Sequence, residues 1–153
     1  MHSTTDHEGS LRAAGLRVTR PRLAVLAVVH DDPHADTDTI LRSVRERLGE
    51  VSNQAVYDVL RALTSARLLR RIQPPGLVAR YEARVGDNHH HVVCRVCGTI
   101  GDVDCAVGHA PCLTASDDRG FVIDEAQVVY LGLCPDCATT TTEHPGQERQ
   151  HSV

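Results

Sequence analysis

Cys94-Arg95-Val96-Cys97-Gly98 and Cys134-Pro135-Asp136-Cys137 are two Cys-x-x-Cys pairs separated by 36 residues. The thiolate is a soft donor, and each such pair turns two sulfurs toward one point. Two pairs therefore supply the four ligands of a tetrahedral zinc site with Zn–S distances of about 2.3 Å. One pair alone would read as a thioredoxin-like redox motif, and the second pair argues against that. Four thiolates leave no position for water or substrate, so the chemistry implied is structural. Cys105 and Cys112 fall outside this set. Single cysteines read first as small buried hydrophobes, and these two read second as a candidate redox pair able to form a reversible disulfide.

Asp87-Asn88-His89-His90-His91 immediately precedes the first pair. On an extended strand His89 and His91 share one face and His90 takes the other. Two imidazoles can then ligate one ion, with Asp102 and Glu82 as carboxylates that the fold can bring near. Standing alone, such a run reads equally as solvated histidines.

These ligands need a framework, and 153 residues allow one ordinary domain or two small ones with thin cores. The chain is 41% apolar but only 3% aromatic, with no Trp and one Phe, so its cores must be built from Leu, Val, Ile and Ala. A metal staple suits such a chain. No stretch approaches the roughly 18 apolar residues of a membrane span, and the N-terminus has no basic start or apolar signal core, so a cytoplasmic protein with no membrane partner is expected. In that reducing compartment six cysteines are ligands or sensors rather than disulfides. The net charge of −4 hides an asymmetry: residues 1–84 carry 13 Arg against 10 acidic residues, and residues 85–153 carry 3 against 10. A basic front and an acidic, His- and Cys-containing back suggest one module for a polyanion and one for cations, although two ordinary surfaces explain the charges equally well.

The first half reads as helices. Leu11–Ala14 is closed by Gly15, and Thr19 caps a second helix with Pro21 in its first turn and Leu23, Val25, Leu26 and Val29 along it. Pro33 breaks the pattern. Asp36 or Thr37 caps a third, with Ile40, Leu41, Val44 and Leu48 at helical spacing and Gly49 as its stop. Ser52 caps a fourth, whose apolar stripe is Val56, Val59, Leu60 and Leu63. The opposite face offers Asn53, Gln54, Tyr57, Asp58 and Arg61, side chains able to reach bases and phosphates in a major groove. Two short runs, 70–73 and 77–82, flank Pro74-Pro75-Gly76 and read as a β-hairpin. Helices followed by a hairpin make a winged helix-turn-helix, with a plain helical subdomain as the competing reading. From Val85 the chain becomes short apolar runs. Strands are expected at 91–93, 121–123 and 128–131, with a short helix near Leu113–Ser116. The fold expected is α+β: disordered residues 1–9, a winged-helix DNA-binding domain over 10–84, a small α/β metal-binding dimerisation domain with the four-cysteine zinc site over 85–138, and a disordered tail over 139–153.

Taken in order, Gly15-Leu16-Arg17-Val18-Thr19-Arg20-Pro21-Arg22, the Ala35-Asp36 helix start, Ser52-Asn53-Gln54-Ala55-Val56-Tyr57, the His-rich strand running into Cys94-x-x-Cys97-Gly98, and Cys134-x-x-Cys137 resemble the ferric uptake regulator family over about residues 10–137. The resemblance implies a dimeric, metal-responsive winged-helix repressor acting on a double-stranded DNA operator, and not an enzyme. It implies that Arg17 enters the minor groove and that Tyr57 and its neighbours contact bases. The DNA-binding set is then Arg17, Thr19, Arg20, Arg22, Ser52, Asn53, Gln54, Tyr57 and Arg61, while residues after about 85 dimerise. It also implies a regulatory metal site between the two domains. Glu82, His89, His91 and Asp102 match that pattern; the remaining ligand is Asp32, which stands where the family usually has His, or His34 two residues later.

Asp102 points to the peroxide-sensing branch, whose members tend to carry Asp where iron-uptake regulators carry Glu, and the resemblance is closest to those of them that repress a neighbouring catalase-peroxidase gene. The resemblance thus implies structural Zn²⁺, regulatory Fe²⁺ with Mn²⁺ as a substitute, and peroxide as the only small molecule besides the metal. Peroxide would oxidise a ligand at the iron and end repression, in a two-state equilibrium biased by metal. The alternative within the family is a regulator of iron, zinc or nickel availability that ignores peroxide. A zinc hydrolase with Glu82 as base lacks a His-Glu-x-x-His motif, and a zinc-ribbon interaction module leaves Arg17, Tyr57 and the wing without a purpose.

Overall fold

The computed structural model describes residues 5–105 and 112–141. The chain divides into two compact units, Met1–Asp87 and Asn88–Val153, and among the described residues no helix is long and apolar enough to cross a membrane. The first unit contains α1 (His7–Ala13), α2 (Arg20–Asp31), β1 (Ala35–Asp36), α3 (Thr37–Leu48), α4 (Asn53–Ser65), β2 (Arg70–Ile72) and β3 (Arg80–Glu82). Four helices followed by an antiparallel hairpin give the winged-helix arrangement expected from the sequence.

Each main helix starts where a side-chain oxygen satisfies an orphan backbone N–H. Thr19 Oγ1 accepts from Arg22 N at 3.3 Å, and Pro21 sits in the first turn, where its missing N–H is harmless. Asp36 Oδ1 accepts from Thr39 N at 2.8 Å, and Ser52 Oγ from Ala55 N at 3.0 Å. Helix α3 stops at Gly49, whose φ of +80° carries no strain only for a residue without Cβ. The apolar stripes of α2, α3 and α4 meet in one core with Val25, Val29, Ile40, Val44, Val56, Leu60 and Leu63 essentially inaccessible. Each such burial is worth about 1.5–3 kcal/mol. None of that comes from the outer face of α4, which stays exposed.

Three expectations for this unit change. The first helix begins at His7 rather than Leu11, because Asp6 caps it by accepting from Gly9 N at 2.8 Å, so residues 5–9 are not disordered. The second strand of the hairpin is shorter than residues 77–82: Leu77 N closes a turn onto Pro74 O at 3.1 Å, and pairing begins only at Arg80. Strand β1 was not expected. It adds to the far edge of β3 with Ala35 opposite Tyr81, giving the order β1-β3-β2.

The second unit is a three-stranded sheet in the order β5-β4-β6, followed by a helix: β4 (His89–Cys94), β5 (Ile100–Asp104), β6 (Val129–Gly132) and α5 (Pro135–Thr141). Strand β4 is central, antiparallel to β5 and parallel to β6. Ile100-Gly101-Asp102-Val103-Asp104 has the composition of a loop, and only its pairing with β4 makes it a strand. No strand forms at Phe121–Ile123. Asp117 and Asp118 accept from Arg119 N and Gly120 N to make a turn there, and Phe121 and Val122 are 73% and 97% exposed. Leu113–Ser116 forms bends rather than a helix. The tail expected to be disordered from residue 139 is helical to Thr141, and residues 142–153, like 1–4, lie outside the described set.

Asp36 hydrogen bonds chiefly to the Thr39 backbone N–H, which holds its carboxyl below the ordinary Asp value. A lowered folded pKa means stability present above the unfolded pKa and lost as pH falls through the folded one. Asp36→Ala is expected to lower the first unit's urea-unfolding free energy by about 1 kcal/mol at neutral pH. The difference from the parent should shrink below about pH 4. Equal destabilisation at both pH values would show that the cap is not the cause.

Candidate metal centres and recognition face

Cys94 ends β4, and the chain turns back so that Gly98 N donates to Cys94 O at 3.0 Å and Cys94 N to Thr99 O at 2.9 Å. Gly98 takes a φ of +75°, which lets Cys97 face Cys94 across the turn. On the other side, Arg95 N donates to Gly132 O at 2.8 Å, placing the end of β6 beside the turn. Cys134 then opens α5, its Sγ accepting from Cys137 N at 3.5 Å. The four Sγ atoms lie within 4.8 Å of one another, with Cys97 and Cys134 at 3.7 Å. Sulfurs on a tetrahedron around zinc are separated by about 3.8 Å, from the usual Zn–S length, so the donor set fits that ion.

The thiols are electrostatically unequal. Backbone N–H groups, that of Cys97 first and that of Cys134 next, hold Cys94 down to about 6. The Thr99 hydroxyl, 3.0 Å away, lowers Cys97. The neighbouring Cys134 thiol and then burial push Cys137 up to about 12. Four thiolates at one point repel one another, and a divalent cation is the group that lets all four ionise.

The histidine and carboxylate donors fall into two sets, one in each unit. In the first, His34 Nε2 lies 3.3 Å from Glu82 Oε2, and Arg70 lies 3.9 Å from the other oxygen. His34 adopts a φ of +69°, a left-handed conformation uncommon for a residue with Cβ, and is tied to β3 by His34 N donating to Tyr81 O at 2.9 Å. Asp32 instead ends α2 as an exposed C-cap residue. In the second unit Asp102 is the direct cross-strand partner of His91. His89, two residues away on the same face, completes the group: Asp102 Oδ1 is 3.5 Å from His91 Nε2 and 3.8 Å from His89 Nε2, and the two rings meet edge to face at 4.9 Å. Imidazole and carboxylate donors of this kind suit Fe²⁺, Mn²⁺ or Zn²⁺.

A third constellation was missed. His90, on the opposite face of β4, meets both cysteines outside the four-thiol set, and Cys112 Sγ is 3.2 Å from His90 Nε2. Strand alternation already separated His90 from its neighbours, but without β5 nothing in the sequence brought Cys105 to it.

On α4, Asn53, Gln54, Tyr57, Asp58 and Arg61 are exposed, as the period requires. Most are already paired: Arg45 donates to Asn53 Oδ1 at 2.5 Å, Gln54 to Asp58 at 2.9 Å, and Arg61 lies 3.8 Å from Asp58. Arg17 and Arg20 are exposed, whereas Arg22 Nη1 donates to Arg17 O at 2.8 Å. The Thr19 and Ser52 oxygens accept the capping bonds described above and keep a hydroxyl proton to donate.

The family model described as the ferric uptake regulator family matches residues 13–130. Transcriptional regulator FurA of Mycobacterium tuberculosis (strain ATCC 25618 / H37Rv) is 65% identical over 147 residues, covering 95% of this chain and 100% of that protein. Among solved structures, the Vibrio cholerae ferric uptake regulator aligns with a TM-score of 0.63 at 23% identity, over 84% of this chain and 100% of that one. The Campylobacter jejuni peroxide stress regulator aligns with 0.60 at 20%, over 90% and 100%. At these identities the solved structures speak for the fold.

Removing one of the four sulfurs tests the fit. Cys97→Ser is expected to lose the tightly held zinc, read by native mass spectrometry, and to expose β4–β6 to limited proteolysis. A variant that kept its zinc and its protease resistance would show that these thiols do not form the site.

Proposed function

The chain belongs to the ferric uptake regulator family, and on that premise we propose that it is a metal-dependent, DNA-binding repressor that senses peroxide. It is a transcriptional regulator rather than an enzyme, as its relatives are named. In the proposed reading Cys94, Cys97, Cys134 and Cys137 hold a structural Zn²⁺, and Glu82, His89, His91, Asp102 and His34 hold a regulatory Fe²⁺, with Mn²⁺ able to substitute. The exposed face of α4, with Tyr57 at its centre, would meet a double-stranded operator together with Arg17 and Arg20. A homodimer would cover the apolar surface that Phe121, Val122, Ile123 and Tyr130 leave exposed. The protein would work in the cytoplasm.

The observation that carries this reading is the convergence of His89 and His91 on a single short carboxylate, Asp102, at register-paired positions of two strands. Bound Fe²⁺ would supply a redox-active centre that activates peroxide, which Mn²⁺ does not readily do, while the two electrons that reduce the peroxide come from the imidazole. The chain's part is to present imidazoles beside it: one gains an oxygen atom from peroxide and the other oxygen leaves as water. An oxidised imidazole binds metal less well, and operator affinity falls with it by linkage. His34 is favoured over Asp32 because it already faces Glu82.

Titrating operator DNA with Fe²⁺-loaded and Mn²⁺-loaded protein, with and without peroxide, tests this. We expect peroxide to weaken the iron form at least about tenfold and to leave the manganese form within about twofold. An iron form indifferent to peroxide would make the protein a sensor of metal availability instead. Release without an oxidised His or Cys by mass spectrometry would overturn the mechanism. For the disputed ligand, His34→Ala should cost at least about tenfold in metal affinity and Asp32→Ala no more than about twofold. The reverse order would assign Asp32.

A further inference from the structure

Strand β4 offers donors on both faces. His89 and His91 turn toward Asp102; His90 turns the other way and is only 4% exposed. In the β4–β5 ladder His90 stands opposite Val103. Cross-strand partners share a face and alternate residues return to it, so Cys105, two residues beyond Val103, comes back to the side of His90. Cys112 Sγ lies 3.2 Å from His90 Nε2. The imidazole nitrogen and both sulfurs lie within 4.8 Å of one another, and neither cysteine is in a disulfide.

We propose that His90, Cys105 and Cys112 form a second thiolate metal site, which takes one zinc-class divalent ion and leaves one coordination position open. Two thiolates and an imidazole are a soft donor set that selects Zn²⁺ or Co²⁺ over Mg²⁺, Ca²⁺ or Mn²⁺. With three protein ligands the tetrahedron is completed by water or a small anion, unlike the closed four-cysteine cluster, with which it shares no residue. Burial, and then the neighbouring Cys105, push the Cys112 thiol up. Two thiolates here oppose each other, and a cation between them removes the conflict. Because Cys105 and Cys112 are only partly buried, the site is open to exchange with the surroundings.

The full-length protein, reduced and carrying its four-cysteine zinc, is titrated with Co²⁺. A near-ultraviolet thiolate-to-cobalt charge-transfer band reports only a sulfur-ligated ion, and the His and carboxylate donors around Asp102 contribute none. We expect the band, at saturation, to have the intensity of one sulfur-ligated Co²⁺ per chain in the parent. It should be lost in Cys112→Ser and in Cys105→Ser, with the four-cysteine zinc still present by mass spectrometry and the helical circular dichroism unchanged. His90→Gln should keep both sulfurs yet bind Co²⁺ at least tenfold more weakly. A parent that gives no band under reducing conditions would overturn the assignment, including the case in which the two cysteines pair as a disulfide instead. So would a band that survives in both serine variants, since its sulfur would then come from exchange into the four-cysteine cluster.

Discussion

Four cysteine sulfurs meet at one point in the second unit, and what that unit presents depends on this meeting. Its apolar core is thin: among the described residues Val93 and Cys94 are its buried hydrophobic side chains, whereas the first unit buries three helical stripes against one another. Three strands and a seven-residue helix cannot offset the entropy of ordering on so little apolar area. A metal–thiolate cluster would supply free energy of another kind, with apparent values of about 10–16 kcal/mol for structural zinc in small peptides. The sulfurs also stand at the places where closure is needed. Cys94 and Cys97 flank the turn between β4 and β5, and Cys134 and Cys137 join the end of β6 to α5.

A metal held there would fix β4 and, with it, the chemistry on both its faces. The side-chain period of a strand is two, so one residue of slippage would exchange His90 for His89 and His91 and would move Asp102 away from both. The register that places His91 opposite Asp102 also carries Cys105 round to His90. A hard-to-intermediate donor set of imidazole and carboxylate and a soft set of imidazole and thiolate thus sit back to back on one ladder. Ligand softness can sort different ions between them.

Much of this was legible in the sequence where local chemistry decides the outcome. Thr19, Asp36 and Ser52 announced three helix starts, and each accepts the bond expected of a cap. Two Cys-x-x-Cys pairs announced a shared centre because no other local structure explains both. Illegible were the features decided by partners distant in sequence. Strand β5 has a glycine and two aspartates and owes its conformation to β4; β1 exists only because β3 offers an edge. Phe121–Ile123 has the composition of a strand, but it pairs with none of the described strands and stays exposed. The grouping of His90 with Cys105 and Cys112 was hidden for the same reason as β5. Asp32 and His34 could not be ranked by sequence position, and it is the left-handed turn at His34 that brings its ring to Glu82.

Hydrogen exchange of the full-length reduced protein, before and after zinc is stripped by a chelator, tests the dependence of the second unit on its sulfur cluster most directly. The account predicts that amides of β4, β5 and β6 lose protection on stripping, while those of α2, α3 and α4 keep theirs, because the first unit has its own core. Strand amides that stayed protected in the zinc-free protein would contradict it, since the second unit would then be held by something other than the metal.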